Sequence, residues 1–141
     1  MENIKAYGIC LYKQSKNTTK ILLCKSVKSN ERWGFLKGVA LKGESSKETA
    51  LREFTEESSI PMEKSFLEDF IYQKNELKDI GIYLVNANKI KSLDIYFNSD
   101  TLHNGYLSWE NSKVKFFDID SLPLIKKKQE KIALKILKIL S

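Results

Sequence analysis

At 141 residues, 42% of them apolar, the chain can bury a core of its own, and one domain spanning residues 1–141 is expected. The net charge of +6 is spread along the sequence rather than gathered in one block, which favours solubility and attraction to polyanions without naming a partner. The two cysteines, Cys10 and Cys24, lie in apolar runs with neither a CxxC spacing nor a neighbouring histidine, which argues against disulfide or zinc roles and for buried thiols.

In chain order, "IKAYGICLYK" and "TKILLCKSV" read as two strands, and "KQSKNTT" between them as the turn of a hairpin. "SNERWGFLKG" is too short and too rich in glycine for a helix. Ser45-x-x-Glu48 has the form of a capping box, opening a helix that runs to about Ser58 and is stopped by Pro61. "FLEDFIYQ", "DIGIYLVNANK", "LDIYF" and "KVKFFDI" follow as strands, separated by the turn-like "KNELK" and the polar stretch "NSDTLHNG". Near the end, Ile125, Ile132, Ile136 and Ile139 recur at helical spacing. This order predicts an α/β fold with a mixed β-sheet between helices. A soluble, cytoplasmic protein is expected, because the start lacks the basic and apolar parts of a signal peptide and no apolar run is long enough for a bilayer.

The helix after Ser45 carries the chemistry. With residues i, i+3 and i+4 sharing a helix face, Glu53, Glu56 and Glu57 fall in one wedge beside an apolar stripe of Ala50, Leu51 and Phe54. Carboxylates so close repel unless a cation neutralises them, and an all-oxygen set favours magnesium or manganese over zinc. Arg52 adds a planar positive fork able to hold a carboxylate in one orientation. Taken alone, "EFTEE" also suits a plain solvated face.

The wider spacing decides between them. Gly38, Glu44, Arg52, Glu53, Glu56 and Glu57, with Phe54 and Ile60 at the two bulky places, resemble the Nudix box, G-x5-E-x7-R-E-U-x-E-E-x-G-U. A chance match to six fixed residues in a chain of this length is on the order of one in a hundred thousand. Ser59 departs, standing where the family has glycine at the helix exit. "RWGFLKG" is similar to the W-x-x-P-K/Q-G run of dinucleoside polyphosphate hydrolases and RNA 5′-pyrophosphohydrolases, with Leu36 in place of the proline. "WENSKVKFFDIDSLP" is similar to the family's late strand, with Glu110 at its first acidic place.

The resemblance implies an α/β/α sandwich that hydrolyses a nucleoside diphosphate linked to a further moiety, using magnesium. By the same resemblance, Glu53, Glu56, Glu57 and the Gly38 carbonyl would be metal ligands. Arg52 would orient them and Glu44 would support the loop. Glu53 or Glu57 is the candidate base, with Glu110 as a base recruited from a late loop. Arg32, Trp33 and Lys37 are the candidate substrate contacts. For Trp33, stacking on a base competes with core packing beside Phe35; for Lys37, phosphate binding competes with a solvated surface position. His103, the only histidine, reads as incidental, Tyr72 and Tyr83 as core, and Lys126 to Lys128 as either a solvated helix face or an RNA contact.

Three functions follow as expectations. They are a magnesium-dependent pyrophosphohydrolase acting on nucleoside or dinucleoside polyphosphates, an RNA 5′-pyrophosphohydrolase, and a non-catalytic nucleotide-binding regulatory module. Monomer and homodimer are both open.

Overall fold

Apolar residues on both sides of the strand pleat set the architecture. The computed structural model describes residues 2–28 and 31–141, so Ser29 and Asn30, the start of the run read as non-helical, lie outside the described residues. Strand β1 (Ile4–Gln14) turns back through Ser15–Thr18 into β2 (Thr19–Ser26), the hairpin expected from the sequence. β3 (Leu36–Val39) leads to helix α1 (Ser46–Ser58), and β4 (Phe70–Gln73) and β5 (Lys78–Asn86) form a second hairpin. After the short pair β6 (Phe97–Asn98) and β7 (Thr101–Leu102) come the long β8 (Asn111–Asp118) and helix α2 (Glu130–Leu140).

The sheet runs β4-β5-β1-β2-β8-β7-β6. β1 is its hub. One edge pairs in parallel with β5, from Ile4 opposite Lys78 to Tyr12 opposite Asn86, while the other edge is shared antiparallel by β3 and then β2. Side chains alternate between two cores with period two. Ile9, Leu11, Leu22, Leu36, Tyr83 and Val85 join Ala50 and Phe54 of α1, whereas Cys10, Tyr12, Ile21, Leu23, Phe35 and Ile82 join Ile132, Ala133 and Ile136 of α2. The mixed sheet therefore lies between the two helices, as expected.

Local rules explain α1 well. The Ser45 side chain accepts from the Glu48 N–H at 3.1 Å and the Glu48 carboxylate accepts from the Ser45 N–H at 2.9 Å, a complete capping box. The helix ends at Ser59 in the left-handed region, φ 66°, two residues before Pro61.

Four expectations are corrected. "LDIYF" is a 3-10 turn over Leu93–Tyr96, with only Phe97 and Asn98 as strand, because Leu93 and Phe97 reach the core four residues apart rather than on alternate positions. "FLEDFIYQ" is strand only from Phe70, since Lys64–Phe66 forms a 3-10 turn. The polar "NSDTLHNG" holds the β6–β7 hairpin, which turns at Ser99 with φ 60°. Helix α2 starts at Glu130, so Ile125 lies outside it and forms a single parallel bridge to Trp33, and Ile139 is exposed.

Candidate active site

The box loop and α1 are joined by one arginine. Arg52 donates to Glu44 from Nε at 2.7 Å and from Nη2 at 3.0 Å, a two-pronged pair that fixes the guanidinium plane. Its Nη2 also reaches the Val39 carbonyl at 3.2 Å, and its Nη1 reaches Glu53 at 3.0 Å and Glu56 at 3.2 Å. Glu44 further accepts from the Leu41 N–H at 3.0 Å and the Thr49 hydroxyl at 2.8 Å, so it ties loop and helix together. Arg52 beside it holds the Glu44 carboxyl down at about 2. Ionised over the whole physiological range, Glu44 is an anchor for the arginine.

Glu53 lies against Gly38, where a Cβ would overlap its carboxyl group. Glycine at this position is thus a steric need of the carboxylate. Burial raises the Glu53 carboxyl above its ordinary value, opposed by Arg52 and reinforced by Glu56 and Glu110. Glu57 is more enclosed, at 8% exposure. One of its oxygens accepts from Asn111 Nδ2 at 3.0 Å and, weakly, from the Cys24 thiol at 3.9 Å, while the buried Oε2 has no hydrogen-bond partner. Burial pushes Glu57 up to about 7; Asn111 opposes that shift, Glu53 and Glu110 add to it, and Lys37 draws it down. Burial also raises the Cys24 thiol, which keeps it protonated and donating.

The three glutamates do not close into a cage. Among the described residues no group of three or more His, Cys, Asp or Glu side chains is drawn together tightly enough to hold a metal ion. Arg52 draws Glu53 and Glu56 to itself, while Glu57 turns to Asn111. Asn111 escaped sequence reasoning, since a residue 54 positions from Glu57 is brought to it only by the pairing of β8 with β2. Glu110 beside it is exposed, yet close enough to raise both Glu53 and Glu57.

The candidate substrate contacts sit differently. Trp33 is 8% exposed, edge-on to Phe117 at 4.7 Å between centroids, and belongs to the core under α2. Its ring is thus a packing element, placed away from solvent. Arg32 donates to the Ile125 carbonyl at 2.6 Å. Lys37, half-buried, is pushed down to about 8 by burial, with Lys78 and Lys126 adding to the effect. His103 is exposed beside Tyr106, and Cys10 and Cys24 are free and buried, as read from their apolar runs.

A mixed sheet thus lies between two helices, with an arginine-ordered glutamate helix on one face. The NUDIX domain profile matches residues 3–138; the chain belongs to that family and is a Nudix-type hydrolase. Among solved structures, the Caenorhabditis elegans Ap4A hydrolase binary complex is similar at 20% identity and TM-score 0.64, with 97% of each chain covered. MutT from Aliivibrio salmonicida and Vibrio cholerae is similar at 14% identity and TM-score 0.70, covering 97% of this chain and 98% of that one. The NUDIX domain of Shewanella oneidensis NrtR, complexed with ADP ribose, gives 14% identity and TM-score 0.68, covering 100% and 90%. Of a MutT/nudix family protein from Enterococcus faecalis, at 16% identity and TM-score 0.63, the chain spans 44% of the length. At these identities the likeness is one of fold. No protein with a curated description is matched. Among the described residues no helix is long and apolar enough to cross a membrane.

Proposed function

We propose that the chain is a magnesium-dependent pyrophosphohydrolase cleaving a phosphoanhydride of a nucleoside or dinucleoside polyphosphate by attack of water. The observation that carries this reading is Glu57: a buried carboxylate with an orphaned oxygen, beside Glu53 in its glycine cradle. Leaving a buried carboxylate oxygen unpaired is costly, and a hard cation is the partner that a set of carboxylates and a backbone carbonyl suits. Glu53, Glu56, Glu57 and the Gly38 carbonyl would hold it, with manganese as a substitute. When bound, the metal supplies neutralisation of the phosphate charge and polarisation at the attacked phosphorus.

The chain's own residues do the rest. Glu57, buried beside Glu53, is placed to take a proton from water as the P–O bond to the leaving phosphate breaks. Glu53 and Glu110 are the alternative bases. Arg52, held by Glu44, keeps Glu53 and Glu56 oriented, and Lys37 meets phosphate charge next to Gly38. A nucleotide is the partner, no membrane is involved, and the buried free thiols suit a reducing cytoplasm.

A second reading, removal of pyrophosphate from a triphosphorylated RNA 5′ end, uses the same chemistry and is supported by lysines beside Lys37. Purified protein with magnesium should be offered NTPs, dinucleoside polyphosphates, ADP-ribose and triphosphorylated RNA, and the products resolved by chromatography. A dinucleoside polyphosphate cut to leave a nucleoside polyphosphate is the expected result. Exclusive turnover of the RNA would replace it with the second reading, and no turnover of any anhydride would sink both.

A further inference from the structure

The acidic centre is adjoined by a strongly basic cavity. About 280 Å³ in volume, it is lined by Lys37, Lys78, Lys126, Lys127 and Lys128, with no carboxylate among its lining side chains. The ion pairs of the described residues involve Lys13, Lys20, Arg52 and Lys89, so among them none of these five ammonium groups has a carboxylate within ion-pair distance. Like charges converging on a partly enclosed space repel one another, and a multiply charged anion offsets that cost.

The basic turn is also built to stay in place. Trp33 accepts from the Lys126 N–H at 2.9 Å and donates to the Leu124 carbonyl at 2.8 Å. Gln129, 5% exposed, accepts from the Phe35 N–H at 2.9 Å, and a Cβ on Gly34 would strike its amide. From the other side, Gln73 donates to the Lys128 carbonyl at 2.8 Å and accepts from the Ile132 N–H at 2.7 Å. "RWGF" and Gln73 thus hold residues 124–129 against the segment that leads into β3, the strand that runs through Lys37 into Gly38. Lys37 lines the cavity and directly precedes Gly38, the glycine against which Glu53 lies, so the two regions share β3.

We propose that this lysine-lined cavity is a subsite for substrate phosphates beyond the anhydride being cut, so that the enzyme selects substrates carrying a run of three or more phosphates. The inference rests on the pyrophosphohydrolase reading and deepens it. The cavity is smaller than a typical drug-sized site and has little aromatic surface for a base, which favours phosphates over a nucleoside as the occupant.

The test is calorimetric titration with inorganic tripolyphosphate and with pyrophosphate in the absence of divalent metal. It compares the wild type, Lys126→Gln/Lys128→Gln, and a control of equal charge, Lys16→Gln/Lys47→Gln. Wild type and control should bind tripolyphosphate about tenfold more tightly than pyrophosphate, and the cavity variant should lose about tenfold or more, with a shallower salt dependence. Equal binding by all three proteins, or an equal loss in the control, overturns the subsite. Glu57→Gln should keep tripolyphosphate binding. Lysine-dependent binding without hydrolysis of any anhydride leaves the subsite standing and removes the proposed reaction. Hydrolysis with lysine-insensitive binding does the reverse.

Discussion

The carboxyl group of Glu53 occupies the space that a side chain on Gly38 would need. Gly38→Ala therefore separates catalysis from folding. What the new methyl meets is the far end of a flexible side chain, so the fold should yield cheaply. Urea unfolding should show a change within about 1 kcal/mol, while kcat falls by about a hundredfold because Glu53 is pushed from its place. A variant that keeps wild-type kcat would mean that the position of Glu53 does not matter to the reaction.

Arg52 and Glu44 form the anchor on which the helix carboxylates are ordered. Lysine keeps the charge but cannot make the two-pronged bond that Nε and Nη2 make to Glu44. Arg52→Lys should thus lower kcat/KM by about tenfold to a hundredfold, at a stability cost of roughly 1–2 kcal/mol. Glu44→Gln in the same background should add little, since the pair it would break is already gone. Full additivity of the two changes in a double-mutant cycle would show that they do not act together.

Ser59 takes the place of the family glycine and still adopts φ 66°. Its hydroxyl donates to the Tyr106 carbonyl at 3.0 Å, a contact glycine cannot make. Relief of left-handed strain and loss of this bond oppose each other, so Ser59→Gly should shift stability by no more than about 0.5 kcal/mol. Ser59→Ala keeps the strain and loses the bond, and should cost about 0.5–1 kcal/mol. A neutral alanine variant in thermal unfolding would show that the hydroxyl contributes nothing.

The parts legible in the sequence were the local ones. The capping box at Ser45 and Glu48 and the fixed offsets of the box act within a few helical turns, where spacing determines geometry. What was not legible depends on tertiary context. Asn111 meets Glu57 only because β8 pairs with β2, and Trp33 became a clamp for residues 124–126 because the chain returns to it after some ninety residues. "LDIYF" was ambiguous for a different reason. Five residues are too few to tell a strand from a turn that buries its first and last members.

Titration in the site sets an unusual stability profile for the metal-free protein. Glu57 rises from an ordinary 4.5 to about 7, so between those values the folded state holds a proton that the unfolded state has released, and stability falls as pH rises through that window. Lys37 drops from 10.5 to about 8, so the folded state sheds its proton first and stability recovers above about pH 8. Glu44 acts below both, contributing stability that is lost as pH falls from 4.5 towards 2. Urea titrations should therefore find a minimum near pH 7–8, and Glu57→Gln should flatten the decline that precedes it. Magnesium should flatten it too, by favouring the ionised carboxylate. A decline unchanged in Glu57→Gln would assign it to other groups.

Whether Glu57 and the glutamates of α1 perform the hydrolysis is decided by turnover of a dinucleoside polyphosphate with Glu57→Gln at saturating magnesium. Glutamine keeps the shape of the side chain and its contact to Asn111 while removing the charge and the capacity to take a proton. His103→Ala, at an exposed position, serves as the control. A fall in kcat of about a hundredfold or more is expected for Glu57→Gln, and wild-type turnover for His103→Ala. Near-normal turnover by Glu57→Gln, or its abolition by His103→Ala, would contradict it.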